Sequence, residues 1–266
     1  MNINLGDIRL QAKEIIKEAG EIIINEKRAA LSVQAKSNEF DLVTQLDLKL
    51  ERFLKEQLSL IIPESKFIAE ETDSKIKNDP ILWIIDPLDG TTNYVHGLPF
   101  FAISVALVIN GELQLGFVYN PLLNEFFEAQ RGKGAFLNDS RIQVNSIELL
   151  PCSLLATGFA YNFRTVEENN FKYFDHFLRK AHGIRRLGSA AIDLCYVARG
   201  IFSGYWEWYL SPWDVAAGIL VVEEAGGIVS DINGMPYKFG DSSILATNGL
   251  IHQAMIEEFS EVRSKY

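Results

Sequence analysis

The sequence predicts a layered α/β protein built from two halves, residues 1–150 and 151–266, that meet near residues 145–152. In the first half, two helical patterns are followed by strands joined by tight turns. In the second half, helices and strands alternate along the chain. No internal repeat, low-complexity tract or Ser/Pro-rich linker interrupts the 266 residues. A chain of this length buries roughly three-quarters of its unfolded surface, so its core needs no disulfide or metal for support.

The first half is predicted to place helices over an antiparallel, meandering sheet. Apolar residues recur at helical spacing within the first 30 residues and again over residues 43–62, where Pro63 ends the pattern. The continuous apolar run 81–85 predicts a strand buried on both faces. Asn110-Gly111 between two apolar runs predicts a β-hairpin. The predicted strands of this half lie at residues 66–69, 81–85, 101–109, 113–119 and 125–130.

The second half has a different order of elements. The predicted helices lie at residues 166–180, 189–198, 212–225 and 250–263. The predicted strands lie at residues 183–186, 203–208, 228–230 and 243–246. Gly226-Gly227 is expected to end the third of these helices, because glycine readily adopts the conformation that follows many helix C-termini.

Composition restricts the class of function. The chain has 25 Lys and Arg residues against 35 Asp and Glu residues, a net charge of −10. This excess of acids argues against binding to nucleic acids or anionic membranes, since both require clustered Lys and Arg. The apolar runs are far shorter than the about 20 residues that span a bilayer, and the N-terminus lacks the pattern of a signal peptide. We therefore expect a cytoplasmic protein. Cys152 and Cys195 are expected to be small core residues rather than a disulfide or a zinc site.

The first candidate for chemistry follows the buried strand. Residues 86–91 have the sequence Asp-Pro-Leu-Asp-Gly-Thr. Asp86 and Asp89 can converge on hard cations, which prefer oxygen ligands. The backbone N–H groups of Gly90 and Thr91 are suited to a phosphate, because amides at turns and helix starts bind anions. A solvated turn explains the same residues without any function.

A second candidate lies at the start of a helix. Asp214 precedes a long apolar stretch, which predicts a buried helix with one acid at its N-terminus. The free N–H groups of the first turn stabilise such an acid, and this capping role accounts for Asp214 without a metal. The start of a buried helix is also a position where a carboxylate can bind a metal.

Charged residues at three further positions are candidate site residues. Each of them can also be explained by a structural role alone. Glu70-Glu71 follows a predicted strand and can belong to a solvated loop. Asp47 lies near the start of the 43–62 helix, where a negative charge is favourable. Lys36 is by default a surface lysine.

Together these segments resemble the inositol monophosphatase family. Its two signature motifs match Asp86-Pro-Leu-Asp-Gly-Thr91 and Trp213-Asp214-x-Ala-Ala-x(8)-Gly226-Gly227. The order and spacing of further segments also fit: Lys36, Asp41-Leu-Val-Thr44, Asp47, Glu70-Glu71 and Gly188-Ser-Ala-Ala191. The resemblance covers essentially the whole chain. It implies an α/β/α/β/α five-layer sandwich, a homodimer, and Mg²⁺-dependent, Li⁺-sensitive hydrolysis of small phosphate monoesters.

The resemblance also implies a role for each matching residue. The implied metal ligands are Glu70, Asp86, Asp89 and Asp214, together with the Leu88 carbonyl. The implied catalytic residues are Asp47, Thr91 and Glu70, with Asp47 and Thr91 orienting and activating the attacking water. The implied substrate-binding residues are Asp89, Gly90, Thr91, Gly188, Ser189, Ala190 and Glu207. Lys36 and Glu71 are implied accessory residues.

The implied reaction uses two or three Mg²⁺ ions per site, because metal ions offset the clustered acids and lower the pKa of bound water. Inositol monophosphate is the expected substrate, and the alternatives are the 2′-phosphate of NADP, fructose 1,6-bisphosphate and the 3′-phosphate of phosphoadenosine compounds. A haloacid-dehalogenase-type phosphatase is disfavoured, since its motif is Asp-x-Asp and this chain has Asp-x-x-Asp. A non-catalytic regulatory binding protein is the alternative from another class.

The sequence leaves two roles open for Glu207, substrate binding and a structural salt bridge. It lies among aromatic residues on a predicted strand, where an unpaired buried carboxylate is costly. We expect it to accept hydrogen bonds from substrate hydroxyls. The alternative is a structural salt bridge with Arg185 or Arg186.

Overall fold

The structure is a computed structural model that describes residues 4–26, 33–35, 42–72, 79–160, 166 and 170–265. At residues 33–35 and 42–44 it describes the backbone alone. The predicted accessory residue Lys36 therefore lies outside the described residues.

Helices and strands cover most of these residues. The described helices are α1 Leu5–Asn25, α2 Gln45–Ile61, α3 Thr91–His96, α4 Phe171–Leu178, α5 Ala190–Ala198, α6 Pro212–Glu224 and α7 His252–Lys265. The described strands of the first half are β1 Val33–Ala35, β2 Leu42–Thr44, β3 Lys66–Ala69, β4 Ile81–Asp89, β5 Ala102–Ile109, β6 Glu112–Asn120, β7 Glu125–Gln130, β8 Gly134–Leu137 and β9 Ser140–Ile142. Those of the second half are β10 Leu154–Thr157, β11 Gly183–Arg185, β12 Gly204–Trp208, β13 Ile228–Ser230 and β14 Ser243–Thr247.

The first-half sheet is a meander, as predicted. Its described strands follow the order β3-β4-β5-β6-β7-β8-β9. Strands β3 and β4 are parallel, and every later neighbouring pair is antiparallel. The register between β4 and β5 shifts between Asp86 and Asp89, so β4 has a bulge at the first motif. A bulge of this kind re-aims side chains at the end of a strand.

The second-half sheet mixes parallel and antiparallel pairs. Its described strands follow the order β11-β10-β12-β14-β13. Strand β10 is parallel to β11 and β12, whereas β14 is antiparallel to both of its neighbours. The parallel strands are connected through α4 and α5, which is the usual way that a chain returns to start a parallel strand.

Three hydrophobic clusters stack the elements into five layers. Helices α1 and α2 cover one face of the first sheet through residues such as Leu50, Trp83 and Phe117. Helices α5 and α6 pack between the two sheets in a shared cluster. Helices α4 and α7 cover the outer face of the second sheet, where Trp206 and Phe259 are fully buried. The order is α1/α2, first sheet, α5/α6, second sheet, α4/α7, which confirms the predicted α/β/α/β/α sandwich.

The structure departs from the sequence-based elements in a few places. Strand β4 continues to Asp89 instead of ending at residue 85, because it accommodates the motif in its bulge. The short helix α3 and the strands β1, β2 and β10 are not predicted by the sequence. The helix predicted over 166–180 is observed as α4, Phe171–Leu178, and 167–169 lie outside the described residues.

The two cysteines differ in exposure. Cys195 is buried, as predicted, but Cys152 is exposed, so the prediction that it is a core residue is wrong. Cys152 ends the short 3₁₀ turn Leu150–Cys152, in which Leu150 supplies the buried side chain. None of the helices in the described part of the chain is long and apolar enough to cross a bilayer. The division into halves 1–150 and 151–266 stays a prediction.

Candidate active site

A cavity of about 230 Å³ opens where β4 ends and where α5 and α6 begin. It brings together residues that are far apart in the sequence. The lining includes these predicted site residues: Glu70, Asp86, Leu88, Asp89, Gly90, Thr91, Gly188, Ser189, Ala190, Glu207 and Asp214. Asp47 reaches this group through Thr91. Glu71 is not among the lining residues.

The bulge in β4 fixes the first carboxylate. Asp86 is 1% exposed, and its Oδ1 accepts a hydrogen bond from the Leu88 N–H at 2.9 Å. Pro87 between them has no N–H, so the Leu88 N–H is the first backbone donor after Asp86 in the chain. The Leu88 side chain is fully buried, while its carbonyl faces Thr91.

Asp89 joins the end of β4 to the start of α5. Its Oδ2 accepts hydrogen bonds from the Ser189 hydroxyl at 2.6 Å and from the Ala191 N–H at 2.8 Å. Ser189 also caps α5, because its Oγ accepts the Ile192 N–H at 3.3 Å. The positive end of a helix therefore stabilises the Asp89 carboxylate. This contact connects the two halves of the chain across the cavity.

Asp214 is placed by the first turn of α6. Its Oδ2 accepts the Ser211 N–H at 2.6 Å, which is the capping role considered from the sequence. Asp214 lines the cavity at the same time. The Asp214 Oδ2 therefore caps the helix, and the Oδ1 can still bind a ligand.

The carboxylates of Asp86, Asp89 and Asp214 are shielded from water and repel one another. Burial, and then the charges of Glu70 and Asp89, raise the pKa of Asp86 and of Asp214 well above its ordinary value. Burial also raises the pKa of Asp89 to about 6, although the hydrogen bonds from Ser189 and Ala191 oppose the shift. A cation placed among them would relieve this repulsion.

The donor set fits a hard divalent cation. It consists of carboxylate oxygens and one backbone carbonyl, the ligands that Mg²⁺ prefers. Among the residues that the structure describes, no Lys or Arg forms an ion pair with Asp86, Asp89 or Asp214. Clustered carboxylates without such pairing are suited to metal binding, because buried charges need a partner.

Asp47 and Thr91 form a buried pair beside the acids. Asp47 is fully buried on α2, and its Oδ1 lies 3.2 Å from the Thr91 Oγ1. The same hydroxyl lies 3.1 Å from the Leu88 carbonyl oxygen. A hydroxyl has one proton to donate and two lone pairs to accept with, so Thr91 can donate to one of these oxygens and still accept from a water.

The turn after β4 requires glycine at position 90. Gly90 has φ +89°, and a Cβ there would lie 2.8 Å from the Phe100 carbonyl oxygen. Asn93 on α3 then donates to the carbonyl oxygens of Phe100 at 2.6 Å and Leu187 at 2.7 Å. This second link between the halves holds the Gly90 turn against the segment that carries Gly188.

Glu207 is buried at the side of the cavity. It is 8% exposed, and its Oε2 accepts a hydrogen bond from the Tyr205 hydroxyl at 2.6 Å. Burial raises the pKa of Glu207 to about 7, opposed by the Tyr205 hydrogen bond and the charge of Arg186. Neither Arg185 nor Arg186, both of which the structure describes, forms an ion pair with Glu207. The salt-bridge alternative is therefore absent from this structure.

Sequence reasoning missed several residues around the cavity. Asp193 on α5 is 1% exposed, and its Oδ1 has no hydrogen-bond partner in the described part of the chain. An acid inside an otherwise apolar helix is the sequence signal that could have identified Asp193. Gly158 lies against the Glu207 carboxylate with no room for a Cβ. Phe159 and Arg186 also line the cavity. The sequence suggests Arg186 only as a salt-bridge partner of Glu207, and nothing in it distinguishes Phe159 from an ordinary loop residue.

Comparisons with known proteins point to one family. The family model described as "Inositol monophosphatase family" matches residues 5–264. The chain is 42% identical over 245 residues to an inositol-1-monophosphatase of Synechocystis, covering 92% of this chain and 85% of that protein. It is 41% identical over 221 residues to the Nus factor SuhB of Pasteurella multocida, covering 82% of each protein.

A solved structure has the same fold. The inositol monophosphatase from Anabaena superposes with a TM-score of 0.88 at 38% identity, covering 97% of both chains. The match thus extends over both halves and over all the elements that surround the cavity. The chain belongs to the inositol monophosphatase family and is a phosphoric monoester hydrolase.

Proposed function

We propose that the protein hydrolyses inositol monophosphate with Mg²⁺, using water as the nucleophile. The observation that carries this proposal is the convergence of Glu70, Asp86, Asp89 and Asp214 in one cavity beside the Asp47–Thr91 pair. Two or three Mg²⁺ ions, when bound, would neutralise the phosphate oxygens and lower the pKa of a water. The four acids and the Leu88 carbonyl would hold these ions.

The remaining residues position the water and the phosphate. The Thr91 hydroxyl accepts a hydrogen bond from the attacking water and donates to Asp47, whose carboxylate takes up the proton through this hydroxyl. The backbone N–H groups of Gly90 and Thr91 bind phosphate oxygens at the turn before α3. Phosphoryl transfer depends mainly on positioning and charge neutralisation, so no protein nucleophile is needed.

Substrate recognition is assigned to the second half of the chain. Gly188, Ser189 and Ala190 line the side of the cavity formed by the start of α5, and Glu207 lines the side formed by β12. A carboxylate that is held by Tyr205 and faces a cavity is suited to accept hydrogen bonds from the hydroxyl groups of a polyol. This favours inositol monophosphate over a featureless aryl phosphate.

A panel of monoesters tests the proposal. Phosphate release is measured from inositol 1-phosphate, NADP, fructose 1,6-bisphosphate, a 3′-phosphoadenosine compound and an aryl phosphate, with Mg²⁺ and with EDTA. We expect Mg²⁺-dependent release with the highest kcat/KM for inositol 1-phosphate. A higher value for another member would reassign the substrate, and no release from any of them would contradict the proposal.

A variant separates recognition from chemistry. Glu207→Ala removes the acceptor but none of the proposed metal ligands. We expect KM for inositol 1-phosphate to rise about 10-fold, the effect of one lost hydrogen bond to a charged group, with little change for the aryl phosphate. Equal losses on both substrates would show that Glu207 supports the structure instead.

A non-catalytic regulatory role is the second candidate, because one relative is named a Nus factor. The four acids that line the cavity favour hydrolysis, since a pure binding module has no need of four carboxylates in one cavity. We also propose that the protein is a cytoplasmic homodimer and that Li⁺ inhibits it. Light scattering of the purified protein and Li⁺ titration of the Mg²⁺-dependent activity test the dimer and the inhibition.

A further inference from the structure

Helix α2 carries a second buried acid, four residues after Asp47. Glu51 is 1% exposed, although a glutamate is rarely buried without partners. Residues four apart lie on the same face of a helix. Asp47 contacts Thr91 on this face, and Glu51 contacts the turn that follows β3. This turn carries Glu70.

The Glu51 carboxylate is fully engaged with that turn. Its Oε2 accepts the backbone N–H of Glu71 at 2.8 Å. Its Oε1 accepts the hydroxyl of Thr72 and also a hydrogen bond from the Lys55 Nζ at 2.9 Å. Lys55 donates to the Thr72 Oγ1 as well, at 2.7 Å. Glu71 and Thr72, which follow Glu70, are therefore both hydrogen-bonded to the Glu51 carboxylate.

Glu70 itself lies between two attachment points. Its N–H donates to the Ile85 carbonyl oxygen at 3.3 Å, which joins it to β4 just before Asp86. The residues after it are joined to α2 through Glu51. Glu70 lines the cavity, whereas Glu51 is not among the lining residues. The hydrogen bonds of Glu51 therefore reach the site through the turn that it holds.

We propose that Glu51 is a positioning residue that sets the Glu70 carboxylate relative to Asp86 and Asp89. The inference rests on the proposed function, since it concerns the geometry of the proposed metal ligands. Helix α2 then positions two parts of the site from residues one turn apart. Asp47 hydrogen-bonds the Thr91 hydroxyl, and Glu51 hydrogen-bonds the turn that carries Glu70. Partners that orient a metal ligand affect metal affinity even though they do not touch the metal.

Magnesium binding without substrate tests the inference. Isothermal titration calorimetry compares the wild type with Glu51→Gln, with Thr72→Val, and with the control Glu56→Gln, which changes an exposed acid on the same helix. We expect Glu51→Gln to weaken Mg²⁺ binding by about 10- to 100-fold. Thr72→Val removes the hydrogen bond to Glu51 and the one from Lys55, and it should weaken binding about 2- to 10-fold. The control should bind like the wild type.

A positioning role also predicts how activity responds. The Mg²⁺ concentration for half-maximal activity should rise with the dissociation constant, while kcat at saturating Mg²⁺ changes less. A folded Glu51→Gln protein with wild-type Mg²⁺ affinity would overturn the inference, even if its melting temperature were lower. If Glu51→Gln fails to fold, Thr72→Val decides, because this residue is exposed; unchanged Mg²⁺ affinity in that variant would overturn the inference.

The same experiment separates this inference from the proposed function. A wild-type protein that binds Mg²⁺ but hydrolyses no monoester contradicts the proposed function, and the ratio of Mg²⁺ affinities still tests Glu51. A wild-type protein that hydrolyses monoesters but shows equal Mg²⁺ affinity in all variants contradicts Glu51 alone. A wild-type protein that binds no Mg²⁺ overturns both.

Discussion

For single residues, the proposal that Asp47 and Thr91 activate the water without binding the metal can be tested directly. Thr91→Ala removes the hydroxyl that lies 3.2 Å from Asp47, and Asp47→Asn removes the charge that accepts its proton. We expect kcat to fall about 10²- to 10⁴-fold in each variant, the usual contribution of general-base catalysis. Mg²⁺ affinity, measured by calorimetry, should stay near the wild-type value.

Thr91→Ser is the matched control for this pair. It keeps the hydroxyl and removes only a methyl group, so it should retain most of the activity. A large loss of Mg²⁺ affinity in Asp47→Asn, with kcat unchanged at saturating Mg²⁺, would assign Asp47 to the metal instead of the water.

Glu207 makes the stability of the metal-free protein depend on pH. Burial raises its pKa to about 7 in the folded state, against about 4.3 in an unfolded chain. Between these values the folded state keeps a proton that the unfolded state loses, so folding becomes less favourable as pH rises. The expected loss is up to roughly 3 kcal/mol from pH 4.5 to pH 7.

Urea unfolding in EDTA measures this effect. The free energy of unfolding of Glu207→Gln should fall less steeply over this pH range than that of the wild type, because the amide does not titrate. The exposed variant Glu56→Gln should follow the wild type. Parallel curves for Glu207→Gln and the wild type would show that Glu207 has an ordinary pKa.

Single residues differ in how far the sequence predicts them. The sequence predicts Asp86, Asp89 and Asp214 because each stands in a local motif at the end of a strand or the start of a helix. It does not predict Glu51 as a positioning residue, because its partners lie 20 and 21 residues away on a turn after another strand. The role of a buried acid depends on partners that a local pattern does not contain.

Among the secondary-structure elements, β6 packs closely against α6, and this contact should contribute to stability. A Cβ on Gly116 would lie 2.8 Å from the Ala217 carbonyl oxygen, so a side chain there would push the strand and helix apart. Helix α6 carries Asp214 in its first turn. Gly116→Ala should therefore destabilise the protein by about 1–3 kcal/mol, the usual effect of overpacking.

Thermal unfolding of Gly116→Ala checks this packing. Gly6→Ala is the matched control, because its Cβ would meet a single neighbouring atom, the Asn4 Oδ1 at 3.4 Å, near the start of α1. Alanine favours a helix over glycine by about 1 kcal/mol, so this control should be as stable as the wild type or slightly more stable. Equal melting temperatures for all three proteins would show that β6 and α6 adjust without cost.

The sequence predicts elements better when their pattern is long. Helices α1, α2 and α6 and strand β5 have apolar patterns of eight or more residues, and their predicted positions are confirmed. Helix α3 has six residues and no apolar periodicity, so it is found only in the structure. Strand β4 extends beyond its apolar run because the bulge at Asp86 keeps it paired with β5.

In the whole molecule, the candidate site is formed by residues that are far apart in the sequence. Asp89 on β4 accepts hydrogen bonds from Ser189 and Ala191 at the start of α5, about 100 residues later in the chain. Asn93 makes a second link, to the Leu187 carbonyl oxygen. The predicted layers place helices between two sheets, but which helix start meets which strand end depends on long-range packing. A single sequence gives that information only through its resemblance to a family.

We propose that Glu70, Asp86, Asp89 and Asp214 together hold the metal ions for hydrolysis. Phosphate release from inositol 1-phosphate by the wild type and by Asp214→Asn, measured with Mg²⁺, with EDTA and after Mg²⁺ is restored, tests this proposal. The exposed variant Asp175→Asn is the control. The wild type and the control should need Mg²⁺ and recover when it returns, whereas Asp214→Asn should lose about 10³-fold or more in rate. Near-normal turnover of Asp214→Asn at the same Mg²⁺ concentration would contradict the claim.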